Sequence, residues 1–205
     1  MVEVNNKMDE SISENGLYGR VCCFFQKHSK RIYIGLGATF LLILAIICGR
    51  VYLDFRLARM RRDYANLTDN ASKVLFVKKY GKTSLGGLVF LDLGNDAFSR
   101  KDYKFSSSYY QSAEKALGET EFALRAKILR AISLFNSGNR ERGLTVLNEV
   151  VHDKLVDGNL RAEAAYRYVC CAAGSGEVDK VNKIVQYSKG LNIPVRWQGR
   201  IETEL

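Results

Sequence analysis

The chain has 205 residues, 47% of them hydrophobic and 26% charged, with a single proline. That length and balance suit one modest domain with its own core plus an accessory segment, and exclude a disordered chain. The net charge of +9 is local: residues 50–82 hold nine Lys/Arg against three Asp/Glu, whereas residues 83–205 hold seventeen against fifteen. A basic excess confined to one stretch beside an apolar run argues against nucleic acid as a partner and for anionic lipid headgroups. Five cysteines, including the vicinal pairs Cys22-Cys23 and Cys170-Cys171, do not form a disulfide framework. His28 and His152 have no Cys or His partner at ligand spacing, so no metal site is expected.

Residues 1–31 form an N-terminal tail. Its Leu17, Tyr18, Val21, Cys22 and Phe25 share one helical face. This stretch is either an interfacial helix or the start of the segment that follows. Between Arg31 and Arg50, residues 32–49 carry no charge. Eighteen helical residues rise about 27 Å, close to the hydrocarbon thickness of a bilayer. Tyr33 and Tyr52 stand near its two ends, where interfacial aromatics are favoured. A buried core helix would need apolar cover on every side, which the rest of the chain does not supply. No small-x-small cleavage site follows, and Ile47 rules out lipidation at Cys48. The reading is an uncleaved transmembrane anchor. Flanking charge leans slightly toward a cytoplasmic C-terminal side: Arg20, Lys27, Lys30 and Arg31 face Arg50, Arg56, Arg59, Arg61 and Arg62.

Residues 50–82 are expected to form a basic helical stalk. Within it, Gly81-Lys82-Thr83-Ser84 resembles the end of a phosphate-binding loop. However, Phe76 occupies the place of the required glycine and no strand precedes it, so a turn between helices is predicted. Residues 83–205 show apolar recurrence at three and four and no strand-like alternation. Breaks fall at Ser99–Asp102, Asn136–Asn139 and Gly174–Glu177, and Lys101, Gly138 and Gly176 mark a period of 37 and 38 residues. A period near 34 with a turn inside each unit is the signature of a helix-turn-helix solenoid. The fold class is therefore all-α: one N-terminal transmembrane helix followed by a tetratricopeptide-like solenoid. An unrelated helical bundle is the alternative.

Small residues are needed where the two helices of a repeat cross, and large ones between repeats. The first unit satisfies this with Phe90, Leu93, Gly94 and Ala97, then Tyr103, Ser106, Tyr110 and Ala113. The second fits at Ala131, Leu134, Gly138, Gly143, Leu147 and Val150, but Lys127 and Arg130 take positions usually large or Leu. The third fits at Ala172, Gly176, Val178, Val181 and Val185, with Val169 in place of Gly.

This layout of short tail, membrane helix, basic stalk and degenerate repeats resembles the ancillary subunit family of the bacterial SecYEG translocon. The stretch Phe76–Ser84, leading into Leu85–Ala97, looks like that family's approach to its first repeat. The resemblance implies a non-enzymatic interaction module in the bacterial inner membrane, with its N-terminus cytoplasmic and its repeats periplasmic. Its partners would be Sec translocon subunits, secreted chains or periplasmic chaperones. An organiser of envelope or cell-division machinery is the alternative. No catalytic grouping and no cofactor site are expected. In such solenoids the first helix of each repeat lines the concave face. Here that face comprises Leu88, Leu91, Asn95 and Phe98, then Arg125, Ile128, Ile132 and Phe135, then Glu163, Tyr166, Cys170 and Ala173. Asn95, Phe98, Arg125, Phe135, Glu163 and Tyr166 are the predicted partner-binding residues.

Overall fold

The computed structural model describes residues 17–173, 178–190, 197 and 199–201, with side chains from Gln26 onward. Among these residues there is no strand. The helices are α1 (Leu17–Ala65), α2 (Asn70–Tyr80), α3 (Ser84–Ser99), α4 (Tyr103–Leu117), α5 (Glu121–Asn136), α6 (Arg140–His152), α7 (Gly158–Ala173) and α8 (Val178–Lys189). The chain divides into two units, Met1–Arg61 and Arg62–Leu205.

The first unit is dominated by α1. The helix is continuous from Leu17, so residues 17–25 begin the same long helix and do not form a separate interfacial one. Among the described residues, one helical stretch, Gln26–Ala65, is long and apolar enough to cross a membrane, and its apolar window is unburied. Ile34 is 71% exposed and Phe40 65%. An uninterrupted apolar surface of this size exceeds what soluble monomers present to water. Thr39 satisfies its hydroxyl internally by donating to the Leu36 carbonyl at 2.9 Å, as a polar group in a membrane-spanning helix would need to.

The second unit is a succession of antiparallel helices. Each packs chiefly on its chain neighbours, from α2 on α3 through α7 on α8, with additional meetings of α3 with α5 and α5 with α7. Helix starts are set by side-chain caps. Asp69 accepts from the Ser72 amide at 3.0 Å while the Ser72 hydroxyl accepts from the Asp69 amide at 3.2 Å, a reciprocal box. Thr83 caps α3 through the Gly86 amide at 3.1 Å, and Thr120 caps α5 through the Ala123 amide at 3.3 Å. The turn before α6 uses Gly138 at φ +95, a backbone that L side chains rarely adopt. The expected breaks at 99–102 and 136–139 thus coincide with helix ends. That at 174–177 lies outside the described residues.

The crossings are built on small residues. A Cβ on Gly94 would stand 2.5 Å from the Tyr110 ring, and one on Gly143 would stand 2.6 Å from the Ala131 carbonyl oxygen. The Ser106 hydroxyl donates to the Gly94 carbonyl at 3.0 Å and meets the Ser133 hydroxyl at 3.0 Å, stitching α3, α4 and α5 through one buried spot. Lys127 and Arg130, which depart from the repeat pattern, are both ion-paired. Lys127 pairs with Glu149 at 3.2 Å and Arg130 with Glu114 at 2.9 Å, so their stems pack while their heads are neutralised. Val169 is fully buried and serves as core.

Residues 62–82 differ from the expected stalk, because they belong to the helical unit. On α2, Phe76 and Tyr80 are buried, and Lys73 reaches across to Asp92 at 2.6 Å and Asp96 at 2.8 Å on α3. Lys79 and the Tyr80 hydroxyl both donate to Asp63 at 2.8 Å, tying α2 to the end of α1 within the same unit. Gly81 to Thr83 form the turn between α2 and α3, as the phosphate-loop test anticipated.

Candidate interaction surfaces

Helices α3, α5 and α7 adjoin in sequence, and they carry the predicted partner-binding residues. Asn95 is exposed, with its carbonyl oxygen accepting from the Tyr110 hydroxyl at 2.8 Å. Burial holds that phenol above its usual pKa. Phe98 is half-buried, edge-on to Tyr103 at 5.2 Å between centroids. Arg125 is exposed and pairs within its own helix with Glu121 at 3.1 Å. Phe135 packs on the main core with the Arg140 guanidinium 5.7 Å above its ring. Glu163 is half-buried. Tyr166, also half-buried, packs on the same core with Trp197 5.8 Å away and Arg167 over its ring at 5.7 Å.

The remaining positions of this face divide between surface and interior. Ile128 is 1% exposed and lies in the core with Leu147, Val150, Tyr168 and Val169. Ile132 packs against that cluster, and Leu88 and Leu91 pack against a second one formed by Ala113, Leu117, Ala123 and Ala126. Cys170 is half-buried and Ala173 exposed. The neighbouring Cys171 thiol is pushed up to about 11, first by burial and then by Cys170 beside it, so little of it is thiolate at neutral pH. The face therefore offers polar positions at Asn95 and Arg125, while most of its apolar members are consumed in packing.

A second surface lies between α6 and α8, which run in the same direction because α7 reverses the chain between them. It is a groove of about 370 Å³. Its α6 wall carries Glu141, Thr145, Asn148 and His152, one helical face at spacings of four, three and four. Its α8 wall carries Lys180 and Lys183. Leu144, Tyr168 and Ile184, all buried, form the floor. His152 of the α6 wall stacks on Tyr187, with centroids 4.1 Å apart. His152 Nδ1 lies 2.9 Å from the Asn148 carbonyl, so that nitrogen carries the proton. Arg161 fixes the stack by donating to the Tyr187 hydroxyl and the Val151 carbonyl, both at 2.9 Å. Sequence reasoning passed over this groove, although the polar stripe of α6 was available as a signal.

Among the described residues the fold is all-helical, with one N-terminal helix long and apolar enough to cross a membrane. Comparisons with protein-family models, with curated proteins and with solved structures found no match.

Proposed function

We propose that the chain is a membrane-anchored protein-interaction module with a tetratricopeptide-like solenoid, working beside the Sec translocon of a bacterial inner membrane. In this reading the N-terminus is cytoplasmic. The helical unit stands on the outer side, where it meets secreted chains or periplasmic chaperones. The observation that carries the proposal is an unburied apolar helix preceding helical hairpins whose crossings depend on Gly94 and Gly143. The first supplies a tether, and the second is the construction of scaffolds that recognise segments of other proteins. Long domains translocate regardless of a modest charge bias, so the five arginines after residue 49 are compatible with this orientation.

Extraction of the native complex in mild detergent tests the function. Co-purification of translocon subunits is expected, whereas recovery of cell-wall or division proteins would favour an envelope scaffold. Protease added to spheroplasts tests the topology: it should digest residues 83–205, and full protection there would reverse the orientation.

A further inference from the structure

We propose that one face of α1, formed by Tyr52, Phe55, Arg56 and Arg59, binds the phosphate headgroup of an anionic phospholipid. This deepens the membrane-anchored reading and rests on it, since it names the lipid that the tether would hold.

The structure narrows the basic excess of residues 50–82 to this helix. On α2, Lys73 is paired with Asp92 and Asp96, and Lys79 with Asp63. Arg56 and Arg59 are exposed, and among the described residues neither forms an ion pair. Asp54 is the one carboxylate within residues 50–62. It precedes Arg56 by about 200° and Arg59 by about 140° around the helix axis, so it occupies the far side. There it shares its side with Arg50 and Arg61, four residues before it and seven after. Asp63, the next carboxylate in the chain, accepts from Lys79 and from the Tyr80 hydroxyl, both at 2.8 Å.

Register places the face at headgroup depth. Counted from Ile32, about twenty helical residues fill a hydrocarbon layer about 30 Å thick, which brings its edge to Val51. The polar layer beyond is about 5–8 Å deep, or about four or five residues, which takes in Tyr52 to Arg56. Arg59 lies further along, but helical side chains lean toward the N-terminus. Its guanidinium stands 5.0 Å from the Phe55 ring centroid, one turn back toward the apolar span. That posture carries its charge into the same layer as Arg56.

The four side chains match a phosphodiester headgroup. They follow at spacings of three, one and three, which is a single helical face. Tyr52 and Phe55 are 66% and 62% exposed, so both rings are free to sit at the acyl boundary. The two guanidinium groups, one turn apart, offer forked donors to phosphate oxygens. A zwitterionic lipid would bring its own cation to the same arginines, so the face favours a headgroup of net negative charge. An acidic protein segment would meet the arginines but would have to displace lipid from the rings beside them.

The test uses the full chain in a non-ionic detergent, titrated with phosphatidylglycerol or phosphatidylcholine and read by native mass spectrometry. Adducts with phosphatidylglycerol should form at a concentration lower by about tenfold or more. Arg56→Gln combined with Arg59→Gln should remove that preference. Arg50→Gln combined with Arg61→Gln, an equal loss of charge on the far side, should retain most of it. Circular dichroism should be unchanged in both, because all four positions are exposed and glutamine is a comparable helix former. No preference by the unaltered chain would overturn the proposal. So would an equal or larger loss in the Arg50 and Arg61 pair, which would report bulk charge and not a face. Full displacement of phosphatidylglycerol by glycerophosphate at the same concentration would also overturn it, by marking a site for any free anion. Alkaline carbonate extraction of native membranes tests the anchored reading separately. Retention in the membrane without lipid preference would remove the headgroup site and leave the anchor. Release into the supernatant would overturn the anchored reading, and this site with it.

Discussion

Replacement of Gly143 by alanine is the sharpest probe of how the helices cross. The added methyl would lie 2.6 Å from the Ala131 carbonyl oxygen, 2.9 Å from the Phe135 amide nitrogen and 3.0 Å from Phe135 Cβ. Two of these atoms are α5 backbone, so no rotamer change relieves them. Ordinary contact begins near 3.4 Å. Helix α6 must therefore retreat by several tenths of an ångström, disturbing the packing of Leu144 and Leu147, which are 4% and 0% exposed. Overpacking of this kind costs about 1–3 kcal/mol. Alanine recovers at most about 1 kcal/mol of helix propensity, less in a first turn. With two backbone atoms in the way, we expect the upper part of the range, a net loss of about 2 kcal/mol. For a unit of this size that lowers the melting temperature by about 6 °C. Thermal unfolding of the full chain, followed by circular dichroism at equal detergent concentration, reads it directly. An unchanged or raised melting temperature would show that α6 does not rest on the α5 backbone at this point, and would refute the close-crossing account.

Three further outcomes are expected. Ser106→Ala and Ser133→Ala should each destabilise by about 1 kcal/mol, and a double-mutant cycle should return a coupling between them, because their buried hydroxyls meet at 3.0 Å; strict additivity would deny that bond. Lys73 is raised above 10.5, first by its hydrogen bond to Asp92 and then by that to Asp96. Its contribution is therefore complete below 10.5 and fades as pH rises through the higher folded value, and Lys73→Met should flatten the alkaline fall in melting temperature. Cys171, at about 11, should be alkylated by iodoacetamide at pH 8 far more slowly than an unfolded thiol, as peptide mass spectrometry would report.

The long apolar helix was legible because its signal is one of composition: eighteen uncharged residues need no knowledge of neighbours. The turns at 99–102 and 136–139 and the glycines of the crossings were legible for a related reason, since each is a local demand on backbone or volume. What escaped was pairwise. The charge count made residues 62–82 a stalk, yet Lys73 spends its charge on Asp92 and Asp96, and Phe76 and Tyr80 turn inward at a spacing of four. Lys127 and Arg130 departed from the repeat pattern, and nothing in their own segment showed that Glu149 and Glu114 stand opposite them. The predicted binding face suffered similarly: Ile128 has the right position on α5, but the fold places it in the core. The α6 side of the groove was visible as a stripe, but its partner wall on α8 lies about thirty residues away and required the fold.

Because each helix rests mainly on those beside it in the chain, most of the unit's cohesion is between close neighbours in sequence. Such low contact order favours rapid folding, since few distant loops must close before stabilising contacts form. Each hairpin can gain its partner soon after it is synthesised, with little wait for the C-terminus. The same architecture should loosen from its ends, with hydrogen exchange slowest around α5 and α6, which are packed on both sides.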